Sequence, residues 1–283
     1  MDSDYKFDSS FQVSPEVIDD FDNNGYIILR GFLSTDELKH IQTAIEHKDG
    51  VTKHAYENDD GGDRKTRMCL WGHPGNDVTG MLARCEKLVD TSEKLLGGEV
   101  YHYHTKLMMK EPYTGGQFVW HQDYGYWYKN GILFPDLLTA FIAIDKADKT
   151  NGCLQVLKGS HRCGRVDHIL VGGQTGADLE RVKQIKNVLP LLHVELQPGD
   201  ALLFHSNLLH KSEANTSEFR RWAFLTAFCK RSNNPTLPHH HPFYTPLEKV
   251  PNKAILECTN ITDLYEKDFL NPSDDNTIVY EQK

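Results

Sequence analysis

Two textures divide the chain. Up to Gly97 most apolar residues recur at three-and-four spacing, the period of a helix face; beyond Gly98 they come in short alternating or continuous runs, as strands do. Ser14 can cap a first helix with Pro15 at its first position, and Asn24-Gly25 stops it. An extended apolar piece follows over 26–33, and Ser34 with Glu37 makes a capping box for a second helix to about His47. Residues 49–66 are charged and Gly-rich, with Asp59-Asp60-Gly61-Gly62, and read as a mobile loop. The strongest helical pattern covers 78–96, where Val78, Met81, Leu82, Cys85, Leu88, Val89, Leu95 and Leu96 share one face. Asp77 can cap that helix and Gly97 can end it.

Strand-like runs follow at 99–110, 117–123, 137–145, 153–157, 191–196, 201–205 and 222–229, separated by turn residues such as Gly115-Gly116, Asn151-Gly152 and Pro198-Gly199-Asp200. One helix-like stretch, 178–189, interrupts them. Many short strands behind a helical N-terminal part predict a mostly β fold, a jelly-roll barrel braced by helices. Strand and helix do not alternate regularly, which argues against a doubly wound nucleotide fold. The expected organisation is a single domain over 1–283, with a core of about 14–231 and a C-terminal extension over 232–283. The polar tail from Pro251 is expected to wrap the surface.

Composition narrows the function. Against 31 Lys and Arg stand 40 Asp and Glu, a net charge of −9 without a basic block, which argues against nucleic-acid binding. Mean hydropathy is −0.53, and the longest near-apolar run is 137–144, far short of the ~20 residues of a spanning helix. The opening MDSDYKFDSS is no signal peptide, so a cytoplasmic location is expected and the Asn215 and Asn260 glycosylation matches read as chance. Six cysteines without a CxxC read as free thiols. The 15 histidines are the one excess, and they direct the search for chemistry.

In Trp120-His121-Gln122-Asp123, a strand would project His121 and Asp123 from one face. They supply two-thirds of a two-His-one-carboxylate triad, which binds Fe(II) and leaves positions open for cosubstrate and dioxygen. Alone, the spacing is far more often that of an ordinary surface strand. Its place early in a run of strands, with His210 87 residues beyond Asp123 and Arg221 eleven further on, gives it weight. A guanidinium fork suits the distal carboxylate of 2-oxoglutarate. Arg221 shares parity with Ala223, Leu225 and Ala227, whereas Arg220 should face away.

These blocks resemble the phytanoyl-CoA dioxygenase family of Fe(II)/2-oxoglutarate oxygenases, which includes ectoine hydroxylase. The resemblance is carried by His104-Thr105-Lys106 to Pro112, Trp120 to Asp123, Asn151 to Leu154, Gly159-Ser160-His161, Gln197 to His205, His210-Lys211-Ser212 and Arg221, and covers roughly 14–231. It implies a double-stranded β-helix, cupin-like in form. It implies His121, Asp123 and His210 as iron ligands, and Arg221 and Ser212 on the distal carboxylate of 2-oxoglutarate. Lys106 is implied to point toward the cosubstrate, and Phe118 and Phe141 to pack beside the iron. His104, Lys106 and Met108 should face the interior, with Leu107 and Met109 under the helices.

Trp127, Tyr124, His104 and, on the upstream loop, Arg67 are the substrate-facing candidates. Trp127 resembles the aromatic that ectoine hydroxylase sets over its substrate, and Tyr126 and Tyr128 flank it. Core or rim packing explains such aromatics equally well, and Arg64, Lys65 and Arg67 read also as a solvated charge run. His161 is not needed as a fourth ligand. His239-His240-His241 reads as plain loop, because three successive side chains do not ordinarily converge on one ion. The implied activity is hydroxylation of a small polar substrate, zwitterions included, by dioxygen, with release of succinate and CO2 and with ascorbate as reductant in vitro. Asp123 argues against a halogenase. Desaturation, epoxidation or ring formation on the same core, an acyl-CoA hydroxylase, and a non-catalytic iron and 2-oxoglutarate binder remain as alternatives.

Overall fold

A computed structural model describes residues 3–274 of the chain. In chain order the strands are β1 (Asp4–Lys6), β2 (Tyr26–Arg30), β3 (Tyr56–Asp59), β4 (Lys65–Trp71), β5 (Val100–Lys110), β6 (Phe118–His121), β7 (Leu137–Ala143), β8 (Leu154–Leu157), β9 (His168–Val171), β10 (Gln174–Ala177), β11 (Leu191–Val194), β12 (Ala201–His205), β13 (His210–Ser212) and β14 (Arg221–Lys230). The helices are α1 (Pro15–Asn24), α2 (Thr35–Glu46), α3 (Val78–Arg84), α4 (Glu86–Leu96), α5 (Asp123–Trp127), α6 (Leu179–Lys186) and α7 (Ala254–Glu257).

Local chemistry sets the first helices where expected. Ser14 accepts from the Val17 amide, and Gly25 ends α1 in the left-handed region at φ 81°, which glycine adopts without strain. Ser34 and Glu37 cap α2 reciprocally. The pattern over 78–96, by contrast, is broken at Cys85, which is extended at ψ 145°. The cause is distant: Val250 of the C-terminal extension pairs there, accepting from the Glu86 amide at 2.9 Å and donating to the Arg84 carbonyl at 3.0 Å.

Eight strands form the major sheet in the order β1-β2-β12-β7-β14-β5-β4-β3, and four form the minor one in the order β11-β8-β13-β6. Period-two alternation sorts the major sheet's faces. Trp222, Phe224, Phe228, Leu107 and Met109 lie under the helices with Val78, Leu82, Leu88 and Ile41. Ala223, Leu225, Met108 and Phe141 face the minor sheet and pack on Leu154 and Val156. Each fully buried Phe or Leu contributes on the order of 1.5–3 kcal/mol. The result is the helix-braced jelly roll that the pattern predicts, in the double-stranded β-helix form that the resemblance implies.

Two further expectations are corrected, and one hairpin was not expected. Residues 49–66 are not a loop: β3 pairs with β4 as a hairpin, and buried Asp60 forms its turn, accepting from the Gly62 amide at 2.9 Å and the Arg64 amide at 3.3 Å. The hairpin of β9 and β10 carried no recognised signal. The tail does more than wrap: Ile255 enters the helix-side core, and Leu270 donates its amide to the Leu70 carbonyl at 2.9 Å, extending the sheet beside β4.

Candidate active site

The minor sheet brings His121 and His210 side by side, directly paired across β6 and β13. The strand ends at His121, and Asp123 opens the short helix α5 rather than continuing the strand. The carboxylate still turns back to the imidazoles. Ligand atoms of His121, Asp123 and His210 all lie within 4.8 Å of one another, with His210 Nε2 at 3.8 Å from Asp123 Oδ1. His121 Nδ1 is 2.7 Å from the Val119 carbonyl and His210 Nδ1 is 2.9 Å from the Leu208 carbonyl. A carbonyl only accepts, so each Nδ1 carries the proton and each Nε2 presents a lone pair. Burial holds both imidazoles below their usual range, which keeps them neutral. Thr139 Oγ1 donates to Asp123 Oδ2 at 2.7 Å and aims the other oxygen at the histidines.

Gln122, between the two ligand positions, faces the opposite way and pins the turn. Its amide group donates to the Gly164 and Asn207 carbonyls at 2.8 and 2.7 Å and accepts from the Val166 amide at 2.7 Å, while its backbone N–H donates to His168 Nε2 at 3.0 Å. These fixed contacts account for the convergence of a strand residue and a helix residue on one point.

Deeper in the barrel lies a second polar group. Arg221 is fully buried; Nη2 donates to the Gly152 carbonyl at 3.0 Å, and Nε and Nη1 have no partner among the described residues. Burial lowers the guanidinium to about 10, so it stays cationic at neutral pH. Opposite it in register is Lys110, also fully buried, whose ammonium donates to Ser212 Oγ at 2.8 Å and to the Glu213 carbonyl. Burial and the neighbouring Arg221 push the Lys110 amine well below its usual range. A buried guanidinium with free donors beside a buried lysine fits a carboxylate, whose charge would hold both protonated. Phe141 lies beside this group, its ring 5.6 Å from the Arg221 guanidinium carbon. Arg220 points outward to Glu46 and Asp145, as its parity predicts.

A cavity of about 420 Å³ opens on His121 and Asp123. Phe118, Lys106, His104, Tyr126, Trp127 and Asn130 line it, with Tyr56, Asn58 and Asp59 of the hairpin, Gln174 of the β9–β10 hairpin, and His240, His241 and Leu270 of the extension.

A model of the family described as phytanoyl-CoA dioxygenase (PhyH) matches residues 21–223, most of the chain. The chain belongs to the phytanoyl-CoA dioxygenase family. Among relatives, it is 27% identical over 249 residues to L-proline trans-4-hydroxylase of Streptomyces griseoviridis, covering 82% of this chain and 92% of that one. It is 27% identical over 226 residues to ectoine dioxygenase of Sphingopyxis alaskensis, covering 71% of each. In fold it resembles EctD from S. alaskensis, solved with 2-oxoglutarate and 5-hydroxyectoine, at a TM-score of 0.73, 23% identity and coverage of 87% of this chain and 91% of that one.

Within this family member, two expected substrate residues lie elsewhere. Tyr124 is in the core, with its hydroxyl on the Leu133 carbonyl at 2.6 Å, because α5 replaces the strand period with a helical one. Tyr126 takes the cavity-facing place. Arg67 pairs in register with outward-facing Met109 and reaches Glu111 at 3.5 Å on the surface. His104 and Trp127 do reach the cavity. So does Lys106, but Lys110, unrecognised in the sequence, is the lysine at Ser212. His161 lies away from the triad, with Nε2 at 2.9 Å from the Asp22 carbonyl. Residues 239–241 lie in a loop, as expected, and the ligand atoms of their three histidines also lie within 4.8 Å of one another.

Proposed function

We propose that this family member is an Fe(II)/2-oxoglutarate-dependent hydroxylase of a small polar substrate. The observation that carries the reading is the arrangement of two donor groups around one barrel: His121, Asp123 and His210 within 4.8 Å of one another at the cavity, and buried Arg221 beyond them with unpaired donors. The first group offers two neutral imidazoles and a carboxylate on one side, the donor set of a facial triad. The second offers a bidentate fork, a lysine and a hydroxyl for a distal carboxylate.

In this reading His121, Asp123 and His210 hold the iron, with Thr139 orienting the carboxylate. Arg221, Lys110 and Ser212 hold 2-oxoglutarate, with Phe141 shielding that end from water and Phe118 facing the cavity beside His121. Iron held there supplies the oxidising power, dioxygen being consumed as 2-oxoglutarate is decarboxylated to succinate and CO2 and a substrate C–H becomes C–OH. The protein's own work is to bind, to orient and to keep water out. The cavity's imidazole, ammonium and amide groups suit a small polar molecule, and Trp127 reaches into it. A phytanoyl-like acyl chain calls for a long apolar tunnel instead. L-Proline and ectoine, named for two relatives, are the size class expected.

We assign the protein to the cytoplasm: all six cysteines are free, and no helix among the described residues is long and apolar enough to cross a membrane. The test is incubation with Fe(II), ascorbate and 2-oxoglutarate while succinate is followed against amines, betaines, amino acids and acyl-CoAs. Stimulation by a small polar compound supports the reading. Stimulation by an acyl-CoA alone overturns the substrate class, and absence of iron-dependent 2-oxoglutarate consumption overturns the enzyme assignment.

A further inference from the structure

One end of the cavity holds more hydrogen-bonding capacity than the protein uses. β5 is bulged there: Ala227 of β14 pairs with His104 and Phe228 with His102, which leaves Tyr103 as the extra residue. A bulge re-aims side chains, and here Tyr103 and His104 turn to the same neighbours. Trp127 meets their rings at 5.2 and 5.6 Å. The C-terminal extension lays His241 on the pair, stacked on His104 at 4.8 Å and 4.6 Å from Tyr103. Nδ1 of His104 and Nδ1 of His241 are buried and have no hydrogen-bond partner among the described residues. Buried polar atoms are ordinarily satisfied, so such a pair awaits a ligand.

Lys106 follows His104 by two residues on the same strand face and lines the same cavity. Among the described residues it has no ion pair; burial pulls its ammonium below the usual range, and Asp123 is the opposite charge that acts against this. The other lysine of this strand face, Lys110, is engaged with Ser212 four residues further on, about 13 Å along the strand. The two lysines therefore serve different ends of the site. Lys110 and Arg221 are placed for the cosubstrate. Lys106 is left facing the cavity, beside two imidazoles with N–H groups to give.

We propose that Lys106, His104 and His241 form a subsite for the substrate's carboxylate, so that the substrate is a small amino or imino acid. The carboxylate accepts from the ammonium and from one N–H of each imidazole. Trp127 packs on the body of the molecule, and the carbon to be hydroxylated is turned toward Asp123. Burial holds both imidazoles well below their usual range, so each keeps one donor and one acceptor nitrogen at neutral pH. Because His241 comes from the extension beyond the barrel strands, specificity at this end is set by a segment outside the family match at 21–223.

The inference rests on the oxygenase reading of the same cavity, and the test separates the two. The full chain, with Fe(II), ascorbate and 2-oxoglutarate, is assayed for succinate against a panel of amino and imino acids, each paired with its primary amide; L-proline and L-prolinamide are one pair. The expected result is that an acid stimulates turnover and that its amide has a KM at least about tenfold higher, the loss of one charge-assisted contact. Lys106→Met and His241→Asn should each raise the KM for the acid about tenfold and bring the acid-to-amide ratio toward one, with a smaller change in kcat. Calorimetric titration of the same acid into the protein with 2-oxoglutarate, without dioxygen, should show the same loss of affinity. The wild-type acid-to-amide comparison stands even if a variant fails to fold. If amides serve as well as acids, or if no acid stimulates while iron-dependent 2-oxoglutarate consumption proceeds, the carboxylate subsite is wrong and the oxygenase reading stands. If no 2-oxoglutarate is consumed under any condition, the oxygenase reading fails and this inference falls with it.

Discussion

Lys267 Nζ lies 2.7 Å from Asp77 Oδ1, with the two side chains 0% and 1% exposed. The lysine also donates to Thr79 Oγ1 at 3.0 Å and to the Pro74 carbonyl, and it sits 4.8 Å from the Trp71 ring centre. Asp77 meanwhile caps α3 through the Gly80 amide at 3.2 Å. One ion pair thus ties the C-terminal extension to the helical layer, and the adjoining residues carry Leu270 to the cavity. A buried pair is weak evidence of net stabilisation, but breaking it leaves a charge unpaired in the interior.

Asp77→Asn should therefore destabilise the fold by about 3–5 kcal/mol, the usual cost of stranding a buried charge. For a chain of this size that corresponds to a fall in Tm of roughly 10 °C. Thermal denaturation followed by circular dichroism measures it. A change below about 1 kcal/mol would mean that the ammonium finds water or another partner, and that the extension is held mainly by Ile255 and Phe269.

Arg221→Lys keeps a charge but loses the planar fork, so the KM for 2-oxoglutarate should rise about tenfold or more. Arg220→Lys should leave that KM within about twofold, because Arg220 faces Glu46 and Asp145 on the outer side. Steady-state succinate assays with varied 2-oxoglutarate decide it. The opposite ranking would place the cosubstrate outside the barrel and refute the site.

Lys110→Met should likewise weaken 2-oxoglutarate binding, whereas Lys106→Met should act mainly on the substrate. The two lysines show what the sequence could carry and what it could not. Alternation along 99–110 puts both on the inner face, but which one meets Ser212 depends on register across β14, set by residues more than a hundred positions away. The same divide runs through the whole molecule. Caps at Ser14 and Ser34 are local chemistry and were legible, as were the ordered spacing of His121, Asp123 and His210 and the opposed parity of Arg220 and Arg221. The helix break at Cys85 follows from Val250, and the hairpin over the cavity follows from Asp60 satisfying its own turn. Neither leaves a periodic trace. Tyr124 was misplaced because the chain turns helical at Asp123, and Arg67 because its segment was read as loop rather than as a strand with a fixed face.

Stability should fall as the medium is acidified below about pH 6.5. Burial lowers His102 to about 3, His205 to about 3 and His168 to about 4. Each is neutral in the fold, while in the unfolded chain it takes up a proton near its ordinary value. Between those two values the unfolded state binds more protons, so stability is full above about 6.5 and declines as pH falls toward 4. Each group contributes on the order of 1 kcal/mol per pH unit in that window. Denaturant melts from pH 7.5 to 4.5 should show the slope, and His102→Gln should reduce it by about one proton. A flat profile would show that these imidazoles are solvated in the native state.

The iron assignment has a competitor in the same molecule, since ligand atoms of His239, His240 and His241 cluster as closely as those of the triad. Two features favour the triad. It includes a carboxylate, which suits Fe(II) better than imidazoles alone, and its members are oriented by Thr139 and by the Val119 and Leu208 carbonyls. Asp123→Ala and His210→Ala should abolish substrate-dependent succinate formation and weaken retention of iron. Thr139→Val should weaken metal affinity about 10–100-fold, the usual cost of losing an orienting contact, with the fold intact. His241→Ala should leave bound iron near one per chain. Metal analysis after graded chelation separates the two groups. Iron retained by Asp123→Ala but lost from His241→Ala would move the metal to the C-terminal histidines and leave His121, Asp123 and His210 as an ordinary buried polar cluster.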